Sequence, residues 1–149
     1  LTVSEVRKIA ISAENLKHRL MIELAYTAGL RVSELVVVKV QHMNLDKLML
    51  FVPGLGKLGA RTTIFSGGLK DALQRQVGNK KPGDYLFPSE RGGNLTTRSV
   101  TKFFKNALTS SGVEKQVTPH SLRQSFTAFM LAKGTNRFAV QTLLGRRGL

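Results

Sequence analysis

The chain has 149 residues, the length of one domain, and 42% of them are hydrophobic, which permits a buried core and excludes a wholly disordered protein. Lys and Arg number 23 against 9 Asp and Glu, and this formal charge of +14 favours a polyanionic partner: nucleic acid first, an anionic membrane surface second. The chain has no cysteine, which excludes disulfides and cysteine-ligated metal sites, and no apolar run approaches the length of a membrane span.

The first third of the chain predicts helices. A capping-box pattern over residues 2–5 predicts a short helix to about residue 11. Apolar residues at helical spacing predict a core helix over 15–28, ended by Gly29. A third short helix is expected over 33–40, where β-branched residues lower the helix propensity.

The middle of the chain predicts strands. Two β-forming runs at 48–52 and 61–65 flank a glycine-rich segment, which predicts a hairpin with a mobile turn. A helix over about 68–77 is expected next. Residues 85–88 are expected to form a third short strand or an extended segment.

The last third predicts helices again. Residues 97–110 carry apolar side chains at core spacing, and Thr118 is expected to cap a helix over 119–133 that has proline at its first position. Thr135 is expected to cap a final helix through residue 144. Together these elements predict an α+β fold, mainly α-helical, with a small antiparallel β-hairpin.

The positive charge is concentrated near the C-terminus. Residues 101–149 contain eight Lys and Arg and a single acid, Glu114, which gives +7. A nucleic-acid face is expected largely in this part of the chain. A basic surface that is merely solvated would have the same composition.

Four basic side chains stand at positions suited to chemistry. Arg31 follows Gly29 at a helix junction, and Lys57 lies at the tip of the predicted hairpin. His120 and Arg123 are three residues apart, so on a helix they are expected to point together. His120 also lies in the first turn, where the helix dipole favours an anion.

These four residue types fit a phosphodiester site that works without metal. Guanidinium groups give bidentate, permanently charged hydrogen bonds to non-bridging phosphate oxygens. A lysine on a flexible loop is suited to protonating a leaving alkoxide. The aspartates are scattered between elements and do not indicate a Mg²⁺ site.

Each of these residues also has an interpretation as an ordinary structural or surface residue. Arg31 alone fits a surface or structural role, Lys57 a solvated turn, and His120 a helix cap. Glu34 is placed to pair with Arg31 across one turn, which would either orient the guanidinium or neutralise it. Composition and spacing by themselves therefore predict only a basic α+β domain that binds nucleic acid.

Four motifs resemble those of the tyrosine recombinases, the phage-integrase and Xer-like site-specific DNA recombinases, and the resemblance spans essentially the whole chain. They are residues 26–35 (YTAGLRVSEL), 56–61 (GKLGAR), 119–123 (PHSLR) and 141–145 (QTLLG). They are similar to the family's first arginine motif, its hairpin lysine motif, its His-x-x-Arg motif and the stretch before its last histidine.

The resemblance implies a mechanism and roles. In the family a tyrosine attacks the scissile phosphate, forms a 3′-phosphotyrosyl link and releases a 5′-hydroxyl, with no cofactor. Arg31 and Arg123 would hold the non-bridging oxygens, Lys57 would act as general acid, and His120 would assist by hydrogen bonding or proton transfer. Arg146 stands where the family has His or Trp, and as a permanent cation it would donate to the phosphate without shuttling protons.

The sequence also departs from the family's pattern. Gln124 replaces a common second histidine, and Gly59 falls near a commonly basic hairpin position in a turn that is one residue short. The nucleophile is expected beyond Arg146, since Tyr26 and Tyr85 are interpreted as packing residues. This chain alone is therefore predicted not to cleave DNA covalently.

The resemblance further implies double-stranded DNA as the partner and a homotetramer on two duplexes for the full-length protein, and it allows a monomer for this chain. It implies no membrane association and a cytoplasmic protein, nucleoid-associated or encoded by a phage or mobile element. Residues 1–149 are expected to be a C-terminally truncated catalytic domain without the family's N-terminal DNA-binding domain.

Three alternatives stay open from the sequence. A degenerate, non-catalytic DNA-binding derivative would account for Arg146 and the missing tyrosine. A type IB topoisomerase shares the same active-site chemistry, although the motifs are closer to integrases. The third alternative is an unrelated RNA-binding module, but this sequence lacks the aromatic stacking motif that such modules use.

Overall fold

The computed structural model describes residues 1–54 and 59–145. Its α-helices are α1 (Val3–Ser12), α2 (Leu16–Ala28), α3 (Val32–Leu35), α4 (Lys70–Val77), α5 (Thr97–Ser111), α6 (Pro119–Ala132) and α7 (Arg137–Leu144). Its strands are β1 (Met43–Asn44), β2 (Met49–Val52) and β3 (Arg61–Ile64), and short 3-10 helices cover Val40–His42 and Gly67–Leu69. The fold is therefore α+β and mainly helical, as predicted.

Local signals set the ends of the first two helices. The Glu5 amide donates to Thr2 Oγ1 (3.1 Å) and the Thr2 amide donates to Glu5 Oε1 (2.8 Å), which forms the predicted capping box of α1. Asn15 caps α2 through a hydrogen bond from the Lys17 amide. Gly29 ends α2 with φ +65°, a left-handed conformation that favours glycine.

The sheet has three antiparallel strands in the order β1-β2-β3. Leu50 pairs with Thr63 and Val52 with Arg61, and all four side chains are buried on one face. The predicted hairpin is confirmed. Of the two expectations for residues 85–88 the extended segment is correct: they form only isolated bridges, at Tyr85 and Pro88, and proline has no N–H with which to continue a ladder.

Two predicted helix boundaries were wrong. α3 is a single turn, Val32–Leu35, rather than 33–40. The run of three valines that follows it, 36–38, disfavours further helix because β-branched side chains lose rotamer freedom there. Asn136, not Thr135, caps α7, since its Oδ1 accepts from the Phe138 amide at 2.7 Å.

The core is built around α2, which contacts α1, α4, α5 and α6. Its buried apolar side chains are Leu20, Met21, Ile22, Leu24, Ala25 and Ala28. Because α6 packs along α2, the C-terminal end of α2 lies beside the N-terminal half of α6. No helix in the described ranges is long and apolar enough to cross a membrane.

Candidate functional site

Arg31 lies at the junction between α2 and α3, directly before the first residue of α3. Its amide donates to Glu34 Oε1 at 2.8 Å, which fixes the backbone at the start of the helix. Its Nη1 lies 3.5 Å from Glu34 Oε2, and a quarter of the side chain is exposed (25%). Arg31 is therefore held by Glu34 yet remains within reach of an anion in solvent.

Arg123 lies on α6 and points into the protein, where only 2% of it is exposed. Its Nη1 donates to the Gly29 carbonyl at 2.6 Å and its Nη2 to the Leu144 carbonyl at 2.8 Å. These bonds join α6 to the C-terminal ends of α2 and α7. Arg123 Nη1 also lies 3.9 Å from Glu34 Oε1, so Arg31 and Arg123 flank the same carboxylate.

A third arginine, Arg61, forms the strongest contact with that carboxylate. Arg61 Nη1 donates to Glu34 Oε2 at 2.5 Å and Nη2 to Glu34 Oε1 at 2.9 Å. Its Nε donates to the Leu143 carbonyl at 2.7 Å. We call Arg31, Arg61 and Arg123 around Glu34 the arginine cluster.

Glu34 is ionised within this cluster. Burial by itself would raise the pKa of Glu34. Hydrogen bonds from the Arg61 side chain and the Arg31 amide, with the charges of both residues, oppose burial and hold the pKa below its ordinary value of 4.5. Three permanent cations surround one carboxylate, so the cluster keeps a net positive charge that attracts an anion.

Sequence reasoning missed the position of Arg61, naming it only as the last residue of the lysine motif. The sequence carried no signal for this position, because it depends on which face of β3 packs inward; in the structure Arg61 and Thr63 are buried and the residues between and after them are exposed. A buried arginine charge needs a partner. The partner is Glu34, 27 residues earlier.

The other predicted site residues are not in the cluster as the structure describes it. His120 lies in the first turn of α6 and is exposed, whereas Arg123 turns inward, so the two side chains do not point together as expected. In residues 1–54 and 59–145 the His120 imidazole makes no hydrogen bond to the cluster. Lys57 and Arg146 lie outside the described residues; in sequence Lys57 falls between β2 and β3, and Arg146 directly follows Gly145.

Both tyrosines of the chain take part in packing. The Tyr26 ring lies 6.4 Å from the Phe129 ring, and burial raises the pKa of its hydroxyl. Tyr85 lies in the bridge with Lys39, whose Nζ is 5.6 Å from the centre of the tyrosine ring.

The arrangement favours phosphate binding by cations. Within the described part of the chain, no group of three or more His, Asp or Glu side chains is placed to hold a metal ion. The charge that faces an incoming anion at the cluster is carried by guanidinium groups, whose geometry matches phosphate oxygens.

Comparison with known proteins identifies the family. The family model described as "Phage integrase family" matches residues 1–148. Tyrosine recombinase XerA of Pyrococcus horikoshii is 38% identical over 154 residues, covering 100% of this chain and 53% of the relative. Tyrosine recombinase XerD of Listeria innocua is 33% identical over 159 residues, covering 97% of this chain and 53% of the relative. The chain thus spans about half the length of the curated relatives it matches.

Solved structures agree on the fold. A crystal structure of XerA recombinase superimposes with a TM-score of 0.86 at 25% identity, covering 97% of this chain and 55% of that one. XerH recombinase bound to its difH substrate superimposes with a TM-score of 0.79 at 21% identity, covering 97% of this chain and 46% of that one. The chain belongs to the phage integrase family and has the fold of a tyrosine-recombinase catalytic domain.

Proposed function

We propose that this chain is the DNA breaking and rejoining domain of a site-specific recombinase that acts by metal-free phosphoryl transfer through a 3′-phosphotyrosyl intermediate. The observation that carries the proposal is the position of Arg31 and Arg123, which come from distant parts of the sequence and flank the single buried carboxylate of Glu34. Membership of the integrase family and the DNA-bound XerH structure support double-stranded DNA as the partner.

In this proposal the two arginines neutralise the non-bridging oxygens of the scissile phosphate as negative charge develops on them. The partial exposure of Arg31 supports direct contact with that phosphate. Lys57 protonates the leaving 5′-oxygen, and His120 and Arg146 donate hydrogen bonds to the phosphate. No metal or organic cofactor enters the scheme.

The nucleophile in this proposal is a tyrosine other than Tyr26 and Tyr85. The packing of Tyr26 against Phe129 and of Tyr85 against Lys39 supports this, as does the raised pKa of Tyr26, which opposes formation of a phenolate. The attacking tyrosine then comes from a segment outside residues 1–149. In the assembled protein four such domains act on two duplexes.

A second candidate is a non-catalytic DNA-binding derivative of the same fold. Arg146 favours it, because a permanent cation cannot exchange protons where the family uses His or Trp. The two candidates differ in whether the arginine cluster accelerates phosphoryl transfer.

Strand joining is the reverse of cleavage, and it tests the proposal without a tyrosine. In joining, a 5′-hydroxyl attacks the phosphate, and an aryl leaving group can take the place of the tyrosine. Duplexes are first selected from a randomised pool by binding to the chain. A nick is then placed in them with a 3′-(p-nitrophenyl phosphate) facing a 5′-hydroxyl. The 5′-oxygen attacks phosphorus, the new P–O5′ bond forms as the aryl P–O bond breaks, p-nitrophenolate leaves, and the hydroxyl proton passes to Lys57, the reverse of its role in cleavage, and from there to buffer.

We expect release of p-nitrophenolate together with a joined strand, at a rate unaffected by EDTA. Arg31→Ala, and Arg123→Ala or the more conservative Arg123→Lys, should each slow joining by about 10³-fold or more, the magnitude typical of an arginine in phosphoryl transfer. Arg75→Ala, which removes an exposed arginine of α4, is the charge-matched control and should join at the original rate. DNA binding without joining would favour the second candidate, and joining by both site variants would refute the site assignment.

A further inference from the structure

The Arg61 guanidinium contacts Glu34 far more closely than the guanidinium groups of the other two arginines of the cluster do. Its two Nη atoms lie 2.5 and 2.9 Å from the two carboxylate oxygens, the range of strong charge-assisted hydrogen bonds. Arg31 Nη1 lies 3.5 Å and Arg123 Nη1 3.9 Å from the same carboxylate. Both oxygens of Glu34 are therefore already occupied by a bidentate partner.

Arg61 is not placed to touch a substrate. Its three nitrogens donate to Glu34 Oε2, Glu34 Oε1 and the Leu143 carbonyl, so both Nη groups are hydrogen-bonded to a carboxylate, whereas those of Arg123 donate to neutral carbonyls. A residue with this geometry acts on the site through the groups that it holds.

Without Arg61, the Glu34 charge would need another partner in the same buried space. Arg31 and Arg123 are the nearest cations among the described residues, and a buried unpaired carboxylate attracts any cation within reach. The Arg31 guanidinium would then turn from its present position toward Glu34, whereas that of Arg123 is held by the Gly29 and Leu144 carbonyls. For Arg31 this movement leads away from the solvent-exposed side, where a phosphate would bind.

Resting on the proposed function, we propose that Arg61 is a positioning residue of the phosphate site, which neutralises Glu34 and so keeps the partly exposed Arg31 available to the scissile phosphate. Arg61 also holds the C-terminal end of α7. It binds the last turn of α7 through the Leu143 carbonyl and packs so closely on Gly145 that an added Cβ there would lie 2.5 Å from Arg61 Cδ.

The test compares Arg61→Met with the double variant Glu34→Gln/Arg61→Met. In the single variant Glu34 keeps its charge and draws Arg31 inward. In the double variant no carboxylate charge is left to do so. The control is Arg19→Met, because Arg19 is a partly buried arginine whose Nε donates to a carbonyl, that of Ala13, at 2.9 Å, as Arg61 does to Leu143.

The first readout is the single-turnover rate of strand joining at saturating DNA, corrected for the folded fraction measured by circular dichroism. We expect Arg61→Met to be slower by about 100-fold, the effect of displacing a group by about 1 Å. The double variant should regain at least about tenfold, and Arg19→Met should stay within about twofold of the parent chain. If Arg61→Met does not fold, Arg61→Lys replaces it with an expected loss of about tenfold, since an ammonium lacks the two-pronged fork.

The second readout needs no activity. The NMR signal of the Arg31 Nε–H group should shift in Arg61→Met, exchange more slowly with solvent, and return toward its original position in the double variant. If the parent chain fails to join strands, the proposed function fails and this signal alone decides the role of Arg61. A joining rate within twofold of the parent, an unmoved Arg31 signal, or a double variant no better than Arg61→Met would each overturn the inference.

Discussion

The carbonyl oxygen of Gly29 accepts a hydrogen bond of 2.6 Å from Nη1 of Arg123, a residue 94 positions later in the chain. Gly29 ends α2, and Arg31 follows it by two residues at the start of α3. The backbone at Gly29 therefore sets the position of one arginine through the chain and of the other through a hydrogen bond. A disturbance at this glycine is expected to displace both.

Gly29→Ala is predicted to destabilise the protein by about 2–5 kcal/mol. The left-handed φ of +65° costs an L-residue about 1–2 kcal/mol. An added Cβ would lie 2.6 and 2.8 Å from ring atoms of Phe126, and such overpacking costs about 1–3 kcal/mol more. Urea unfolding of the variant and the parent chain measures the difference.

Gly112→Ala is the matched control for that prediction. Gly112 ends α5 with φ +76°, and an added Cβ there would meet nothing within 4 Å. Its expected loss is the conformational part alone, about 1–2 kcal/mol. Equal losses at the two glycines would show that the contact with Phe126 adds nothing.

Glu34→Gln is predicted to destabilise the protein by about 3–5 kcal/mol, because it leaves the buried Arg61 charge without its partner. The exposed Glu90 gives the control, and Glu90→Gln should change the free energy of unfolding by no more than about 0.5 kcal/mol. Removing both charged partners in Glu34→Gln/Arg61→Met should cost less than the sum of the two single changes. Strict additivity would argue against a coupled pair.

Glu34 also predicts a loss of stability in acid. Its folded-state pKa lies below the ordinary value of 4.5, so the unfolded chain binds a proton before the folded chain does. The stabilisation is fully present above about pH 4.5 and is lost as the pH falls through the lower folded-state pKa. The free energy of unfolding of the parent chain should therefore fall with pH in this range, and that of Glu34→Gln should fall less steeply.

A second carboxylate acts in the same direction and needs its own variant. The Lys115 side chain and the Thr2 amide, as hydrogen-bond donors, lower the pKa of the partly exposed Glu5 to about 2. Glu5→Gln separates its share of the pH dependence from that of Glu34. If Glu34→Gln and the parent chain gave parallel curves, Glu34 would not be the group responsible.

The elements with local causes could be predicted from the sequence. α1 and α2 have their capping residues and apolar spacing within a few positions, and the hairpin has two β-forming runs around glycines. α3 was predicted too long: the β-branched run lowers the helix propensity, but the sequence does not reveal that the chain leaves the helix after Leu35 through a turn at Val36 and Val37.

The arginine cluster shows where sequence reasoning stops. The pairing of Arg31 with Glu34 was visible, since the two lie one helical turn apart. The bond between Arg61 and Glu34 was not, because it depends on the register of β3 and on how the sheet packs against α2. Helical spacing suggested a common direction for His120 and Arg123, but packing of α6 against α2 and α7 buries the arginine and leaves the histidine exposed.

Binding to double-stranded DNA should weaken steeply with added salt, because each phosphate contact releases condensed counterions. The logarithm of the association constant is expected to fall linearly with the logarithm of the salt concentration, with a slope of about −0.9 for each contact.

Two charge-matched double variants locate the contacts, and all four of their residues are exposed. One is Lys102→Gln/Lys105→Gln on α5, within the basic last third, and the other is Arg75→Gln/Lys81→Gln near α4. Fluorescence anisotropy should show a slope smaller in magnitude by about 2 for the α5 pair and little change for the α4 pair. A salt-independent affinity would exclude binding through phosphate contacts, and a larger effect from the α4 pair would place the DNA nearer α4 than α5.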